Sequence, residues 1–436
     1  MTQDLNIIIP KSVSFILNRL TKKGYEAYIV GGAIRDSFLK RNITDWDIAT
    51  SASSSKIREI FSDITLFSLK HETITLVIDG KNYEITPFKG RNIWTDLLYR
   101  DFTINAIAYD PYKEQIIDPV NGLKDLNRRI IKATVEPRER FLEDPLRILR
   151  TVRFFVELDF RIENKTLNVA KDMADYITKI SKERIRDELV KILLSPNPSK
   201  GIQLIYRLGL LKNIIPELIE GYKVRQNSYH KHTVFKHILI TLENVEPNLI
   251  LRLSALFHDI AKPRVKKKIK GKITFYGHDK ESANIAKYIM KRLRFSNEVI
   301  NQVYLLVKEH MIDYSPKWSN AAIRRLINMV GKDLIFSLIS LRKADIIAHG
   351  NNSLLKQLSM LEELKIRVEH EINKGNVFSV KDLKIDGFII MKELNLSQGP
   401  EVGKILKALY HKVIEDPALN EPSKLIYIAK QIKKQI

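Results

Sequence analysis

At 436 residues, with 44% hydrophobic content, the chain is long enough for two to four domains with real cores. A formal net charge of +22 points to a polyanionic partner, and the lack of cysteine excludes a disulfide framework and a thiolate zinc site. No apolar run reaches the ~18 residues a membrane span needs, and MTQDLNIIIPK lacks the basic start and apolar stretch of a secretory leader, so a soluble, cytoplasmic protein is expected.

Residues 11–23 read as an amphipathic helix, with Val13, Ile16, Leu17 and Leu20 on one stripe. YIVGGAIRDSFLKRNITDWDIAT (28–50) follows as strand, glycine turn, helix, loop and strand. Gly31 and Gly32 let the backbone turn sharply and approach a ligand. Ala33–Lys40 is helical, its opening N–H groups suit a phosphate, and Arg35 adds a cation in the first turn. Asp45-Trp46-Asp47-Ile48 reads as the second strand, where alternate residues share a face. Asp45 and Asp47 then stand side by side, while Trp46 and Ile48 face a core. Adjacent carboxylates repel unless a divalent cation lies between them, and such an oxygen-rich site suits Mg²⁺ carrying substrate phosphates. Residues 56–61 look helical, and 73–88 read as a hairpin turning at Asp79-Gly80. Glu84 on its second strand is either a third carboxylate or an exposed strand residue.

GGAIRD followed by DWDIAT resembles the signature of DNA-polymerase-beta-like nucleotidyltransferases, specifically the bacterial tRNA nucleotidyltransferase and poly(A) polymerase family. The resemblance implies an α+β fold: a mixed-sheet head (1–130), a nucleotide-recognition neck (131–195), a helical body (196–375) and a helical tail (376–436). It makes Asp45 and Asp47 the catalytic Mg²⁺ ligands and puts Gly32 and Arg35 around a triphosphate. DLLYRDFTINAIAYD (96–110) is similar to the family's second motif. Tyr99 replaces the first of its two arginines, so Arg100 alone carries over to the incoming nucleotide, with Asp101 and Asn105 holding ribose or local backbone. IDPVNGLKDL (117–126), with Asp118 and Gly122, resembles the next motif. Only PFKGRNIWT (87–95) separates the hairpin from the second motif. CCA-adding members carry a longer segment there, so this brevity resembles the CC-adding subgroup.

FLEDPLRILRTVRF (141–154) places Arg147, Arg150 and Arg153 at helical spacing. It resembles the family's protein template, in which Asp144 and Arg147 read the base edge of CTP or ATP while Arg150 and Arg153 contact nucleotide and phosphate. The donor and acceptor inventories of these side chains suit that task. SKERIRDELVKIL (181–193), capped by Ser181, resembles the last motif, which braces the template helix; Arg184 and Glu188 can pair within it. Pro196 and Pro198 suggest a domain boundary.

Farther on, His237, His258-Asp259, His278, His310 and Asp345 recur in helical sequence. Imidazoles with carboxylates suit a transition metal, and the series resembles the HD phosphohydrolases fused behind many bacterial tRNA nucleotidyltransferases. That resemblance implies His237, His258, Asp259 and Asp345 as ligands, His278 and His310 as second-metal ligands, Lys262 as a phosphate contact, and hydrolysis of phosphomonoesters or 2′,3′-cyclic phosphates. His230 and His232 are expected to pack the segment before the first ligand. KPRVKKKIKGK (262–272) holds seven cations and no acid, and reads as an RNA-backbone contact. The expected activity is template-independent transfer of C (CC or CCA) to a tRNA 3′ end from CTP, with ATP as a second donor. A poly(A) polymerase, a phosphohydrolase acting chiefly through the histidine series, and an RNA-binding protein with a degenerate head are the alternatives.

Overall fold

The computed structural model describes residues 7–68, 73–227, 230–350, 354–375 and 379–434. The first six residues, part of the stretch read for a leader, lie outside these. The chain forms two compact units, residues 1–214 and 215–436. The prolines at 196 and 198 break a helix without ending the first unit. The next helix, Pro198–Arg207, packs back through Gly201, where a Cβ would come within 2.5 Å of Ile192.

The first unit is built on seven strands: β1 (Ala27–Val30), β2 (Asp47–Thr50), β3 (Leu66–Ser68), β4 (Ile74–Ile78), β5 (Lys81–Pro87), β6 (Ala108–Asp110) and β7 (Gln115–Ile117). Their order is β3-β4-β5-β2-β1-β6-β7, and only β2–β5 is parallel. The strand period of two sends Ile29 and Ile48 to one face and Val30 and Ala49 to the other. The first face packs Val13, Ile16, Leu17 and Leu20 of the helix Lys11–Thr21 and Ile57 of the helix Ser54–Ile60. The second packs Ile93 and Leu97 of the helix Ile93–Leu98. The expected hairpin is β4–β5, turning through Asp79 and Gly80, both at positive φ (51° and 71°).

A helical layer follows: Pro137–Glu143, Leu146–Leu158 and Lys182–Leu194. The helix Leu146–Leu158 buries Ile148, Leu149 and Val152, and its buried Arg153 donates to Glu188 of Lys182–Leu194 at 3.1 Å. In the second unit the helices Val234–Glu243, Leu249–Phe257, His278–Arg292, Asn297–Glu309 and Ile335–His349 carry the histidine series. In the same unit, Arg324 donates to Glu371 and to the last carbonyls of the helix Pro400–Glu415, Ile414 and Glu415. No helix among the described residues is long and apolar enough to cross a membrane.

Candidate functional site

Strand β1 ends at Val30, and Gly31 turns the chain into the helix Gly32–Phe38 at φ 73°, ψ −129°. Only glycine adopts that conformation readily, and the space is equally demanding. A Cβ on Gly31 would lie 3.2 Å from an Arg100 Nη and 3.3 Å from an Asp47 Oδ. Gly31, not Gly32, is therefore the glycine the turn requires. A Cβ on Gly32 would meet Arg35 at an ordinary 3.6 Å.

Asp47 is the first residue of β2, opposite Val30 on one side and Glu84 of β5 on the other. It is half-buried, and its pKa is raised: burial pushes it up and Asp45 adds to this, against the pull of Arg100, Arg150 and Arg35. The strand expected from Asp45 begins only at Asp47, because β1 supplies no partner beyond Val30. Asp45 lies in the approach loop and is exposed, while Trp46 and Ile48 are buried in the core as the alternation requires. Glu84 keeps solvent access, yet its pKa is raised by desolvation and by Asp47 and Asp45. Both readings of Glu84 stay open: it is an exposed strand residue, and it is paired in register with Asp47. Asp45 raises the pKa of Asp47, both raise that of Glu84, and mutually repelling carboxylates suit a divalent cation.

Arg35 is buried, donating to Asn105 at 2.7 Å and to both oxygens of Asp36 at 3.0 and 2.9 Å. Asn105 in turn donates to Asp101 at 3.0 Å. Asp101 accepts from the Phe102 amide at 2.8 Å and takes both Nε (2.8 Å) and Nη2 (2.5 Å) of Arg150. Burial opposes its ionisation, but Arg150 and the Asn105 bond hold its carboxyl well below the usual range. Arg100 reaches Asp96 at 3.3 Å, and Asp96 also accepts from the Lys89 amide at 2.9 Å. Asp118 accepts from the Gly122 and Leu123 amides (2.7 and 3.0 Å), and a Cβ on Gly122 would sit 2.1 Å from the Thr103 carbonyl oxygen, so this motif locks the fold.

On the template helix the three arginines do not share one open face. Arg147 and Arg153 are buried, and Arg150 is half-buried. Arg147 donates to Glu143 at 2.7 Å and to the Tyr99 carbonyl at 2.9 Å. Asp144 is gripped by Arg184 through both oxygens (3.2 and 2.8 Å). The pairing of Arg184 with Glu188 expected from their spacing does not form; each instead reaches to or just before the neighbouring helix. Arg153, expected at nucleotide and phosphate, is held by Glu188 and lies 4.3 Å from the Phe154 ring centroid, a bracing position.

The second unit draws the histidine series into one cluster. One ligand atom each from His237, His258, Asp259 and Asp345 lies within 4.8 Å of the others, and all four residues are buried. His237 Nε2 is 3.1 Å from both His258 Nε2 and Asp259 Oδ2, and 3.0 Å from Asp345 Oδ1. Asp259, His278 and His310 form an adjoining group. Nδ1 of His258, His278 and His310 lies 2.9, 2.8 and 2.6 Å from a carbonyl three residues back, which leaves Nε2 as the lone-pair donor. Nε2 of His278 and His310 is buried with no hydrogen-bond partner. Burial, with the neighbouring His258 charge, pushes His310 down to about 3, so its imidazole stays neutral. For His258 burial acts downward too, but Asp259 and Asp345 lift it to about 10. Two buried carboxylates demand positive charge, and unpartnered imidazole nitrogens face them; a transition metal fits both conditions.

His349 and His230 complete the site. His349 sits one turn beyond Asp345, 3.3 Å from its Oδ1, and groups with His230 and His237. The i, i+4 spacing of Asp345 and His349 was the available signal. His230, expected only to pack the preceding segment, stands 3.4 Å from Lys262 Nζ. Lys262 is buried 2.6 Å from Asp259 Oδ2. Above the cluster opens a cavity of about 1010 Å³.

Three family models match the chain: the poly A polymerase head domain over 27–132, the RNA- and SrmB-binding site of polymerase A over 159–221, and tRNA nucleotidyltransferase domain 2 over 275–429. The CCA-adding enzyme of Lactococcus lactis subsp. lactis is 31% identical over 450 residues, covering 96% of each chain. That of Streptococcus uberis is 29% identical over 438 residues, again 96% of each. Among solved structures, the Bacillus stearothermophilus CCA-adding enzyme in complex with CTP is 26% identical with a TM-score of 0.69, covering 97% of this chain and 96% of that one. The Thermotoga maritima CCA-adding enzyme complexed with tRNA shares the fold, at 20% identity and a TM-score of 0.56 over 98% and 96%.

Proposed function

The chain belongs to the CCA-adding enzyme family of nucleotidyltransferases, and from that premise we propose that it adds C residues from CTP to a tRNA 3′ end and stops after CC. The observation that carries the transfer reaction is Asp47 at the Gly31 turn, beside Arg100 and in register with Glu84, with Asp45 two residues upstream. Asp45 and Asp47 would hold Mg²⁺, and the missing Gly31 Cβ lets the Asp47 carboxylate and the Arg100 guanidinium come close to the turn. Bound there, the ion supplies charge neutralisation at the triphosphate and lowers the pKa of the attacking 3′-hydroxyl. The turn at Gly31-Gly32 brings backbone close to the phosphates, with Arg35 fixed beneath it by Asn105 and Asp36. Arg100 and Arg150 face the nucleotide as cations oriented by Asp96 and Asp101. Asp144, steadied by Arg184, and Arg147, steadied by Glu143, present an acceptor and donors to the base edge. Arg153 braces this helix.

The stop after CC rests on the link from β5 to the helix Ile93–Leu98. It is five residues long and fastened at both ends. Phe88 N donates to Thr50 O (2.8 Å), Lys89 N to Asp96 (2.9 Å), and Asn92 with Thr95 forms a capping box. A Cβ on Gly90 would strike Thr95 Oγ1 at 2.1 Å. Such a link has no slack with which to reshape the site for ATP. The test offers a tRNA lacking its 3′ end CTP, ATP or both, and sequences the products. Ends at CC are expected in every reaction with CTP; efficient A addition to a tRNA ending in CC would overturn the stop.

A second activity is favoured by the buried cluster: metal-dependent hydrolysis of phosphomonoesters or cyclic phosphates, with His237, His258, Asp259 and Asp345 as metal ligands, and Asp259, His278 and His310 as the donors for a second ion. Lys262 is poised as the phosphate contact. Orthophosphate release from a chromogenic monoester with Mn²⁺, Co²⁺ or Ni²⁺ tests it.

A further inference from the structure

The cavity over the histidine–aspartate cluster is far larger than a phosphate group requires. Its lining mixes cationic and polar side chains, Lys262, Arg342 and Gln226, with apolar ones, Met311, Met360 and Leu361. Arg342 donates to Asp345 at 2.6 Å, while its Nε is buried with no partner. These groups are enough for a terminal phosphate and one base.

The rim holds more than such a ligand needs. Strands Lys267–Ile269 and Lys272–Thr274 pair as a hairpin, and Gly271, Lys272, Ile273 and Thr274 line the cavity. Lys270 and Gly271 turn it at φ 48° and 79°, the two-residue turn that matches strand twist. Lys267, Lys268, Lys270 and Lys272 are all exposed, and among the described residues none forms an ion pair. Four unpaired ammonium groups on so short a hairpin repel one another, and a chain of phosphates relieves that repulsion. Next to the hairpin, Tyr276 is 81% exposed at the cavity lip, a face on which an unpaired base can stack.

We propose that the lysine hairpin holds a single RNA strand by its backbone, so that the cluster acts on a phosphate at the strand's 3′ end rather than on free mononucleotides. This rests on the hydrolase reading above. In the step, a water oxygen bonds to phosphorus and the bond from phosphorus to the ribose 3′-oxygen breaks. The departing oxygen takes up a proton, leaving orthophosphate and a free 3′-hydroxyl. That hydroxyl is the nucleophile nucleotidyl transfer needs, and a 3′-phosphorylated end cannot supply it. The cluster would thus belong to the class of reaction that furnishes the head with an extendable RNA.

The full chain with Mn²⁺ is tested on a 3′-phosphorylated single-stranded RNA dodecamer and on 3′-CMP, alongside a Lys267→Ser/Lys268→Ser/Lys270→Ser variant that leaves the cavity lining intact. The proposal expects kcat/KM at least 10-fold higher for the dodecamer, a loss of most of that advantage in the variant, and 3′-CMP hydrolysis within 2-fold. Without metal, anisotropy of the labelled dodecamer should show at least 5-fold weaker binding by the variant, with a log–log salt slope shallower by about 2, as loss of up to three phosphate contacts implies. Equal kcat/KM for both substrates, or dodecamer binding and turnover unmoved in the variant, overturns the hairpin's role while leaving the hydrolase reading intact. No hydrolysis of either substrate with Mn²⁺, Co²⁺ or Ni²⁺ overturns the hydrolase reading, and this assignment with it.

Discussion

Asp101 is the hinge of the cationic site, and Asp101→Asn tests whether Arg150 is positioned by it. The carboxylate is buried and takes two guanidinium donors, Nε at 2.8 Å and Nη2 at 2.5 Å, besides the Phe102 amide and Asn105. An amide of the same shape removes the charge and sets an N–H donor against a guanidinium. Glu188, 3.8 Å from Arg150 and already serving Arg153, is a poor substitute partner. Removing one member of a fully buried pair costs about 3–5 kcal/mol, and the partial exposure of Arg150 puts this pair at the lower end, about 3 kcal/mol. For a unit of this size that is a melting shift of roughly 6–12 °C. Calorimetry of the first unit's transition reads the shift, and incorporation kinetics read KM for CTP, which should rise. In Asp101→Asn/Arg150→Met neither charge is left alone, so the combined loss should fall short of the sum of the single losses by at least about 1.5 kcal/mol. A single variant melting within 2 °C of the parent, or strictly additive losses, would refute the reasoning.

Gly31→Ala meets both a backbone disfavoured for L residues and a Cβ wedged between Arg100 and Asp47. A loss of about 1–3 kcal/mol in stability is expected, together with a larger proportional loss of nucleotide incorporation; Gly32→Ala should be milder in both, and the reverse order would contradict the assignment. At the histidine–aspartate cluster, Mn²⁺ at 100 times its dissociation constant should stabilise the second unit by about 2.7 kcal/mol in a thermal-shift assay. Asp259→Asn, which touches both ligand groups, should abolish that gain, and an undiminished gain would remove the cluster as the metal site.

What the sequence made legible was local. The helix Lys11–Thr21 and the β4–β5 hairpin follow from periods of 3.6 and 2 and from Asp79-Gly80, and need no distant partner. The start of β2 was misplaced because a strand exists only where a neighbour pairs with it, and β1 turns away at Gly31. The arginines of the template helix recur at helical spacing in sequence, which says nothing of how deeply each is buried. Their burial depends on Glu143, Tyr99, Asp101 and Glu188, mostly from elsewhere in the chain. Arg184 likewise takes Asp144 across helices in preference to Glu188 on its own, because Glu188 is spent on Arg153. The histidine series was legible by its order, whereas His349 and His230 join it only through the packing of helix Ile335–His349 against Val234–Glu243.

The most direct test of the two-carboxylate metal site is CMP incorporation by Asp47→Ala into a tRNA lacking its 3′ end, measured beside tRNA affinity by filter binding. Incorporation should vanish with the dissociation constant unchanged within 2-fold. Persistent incorporation, or activity and tRNA affinity lost together, would contradict it.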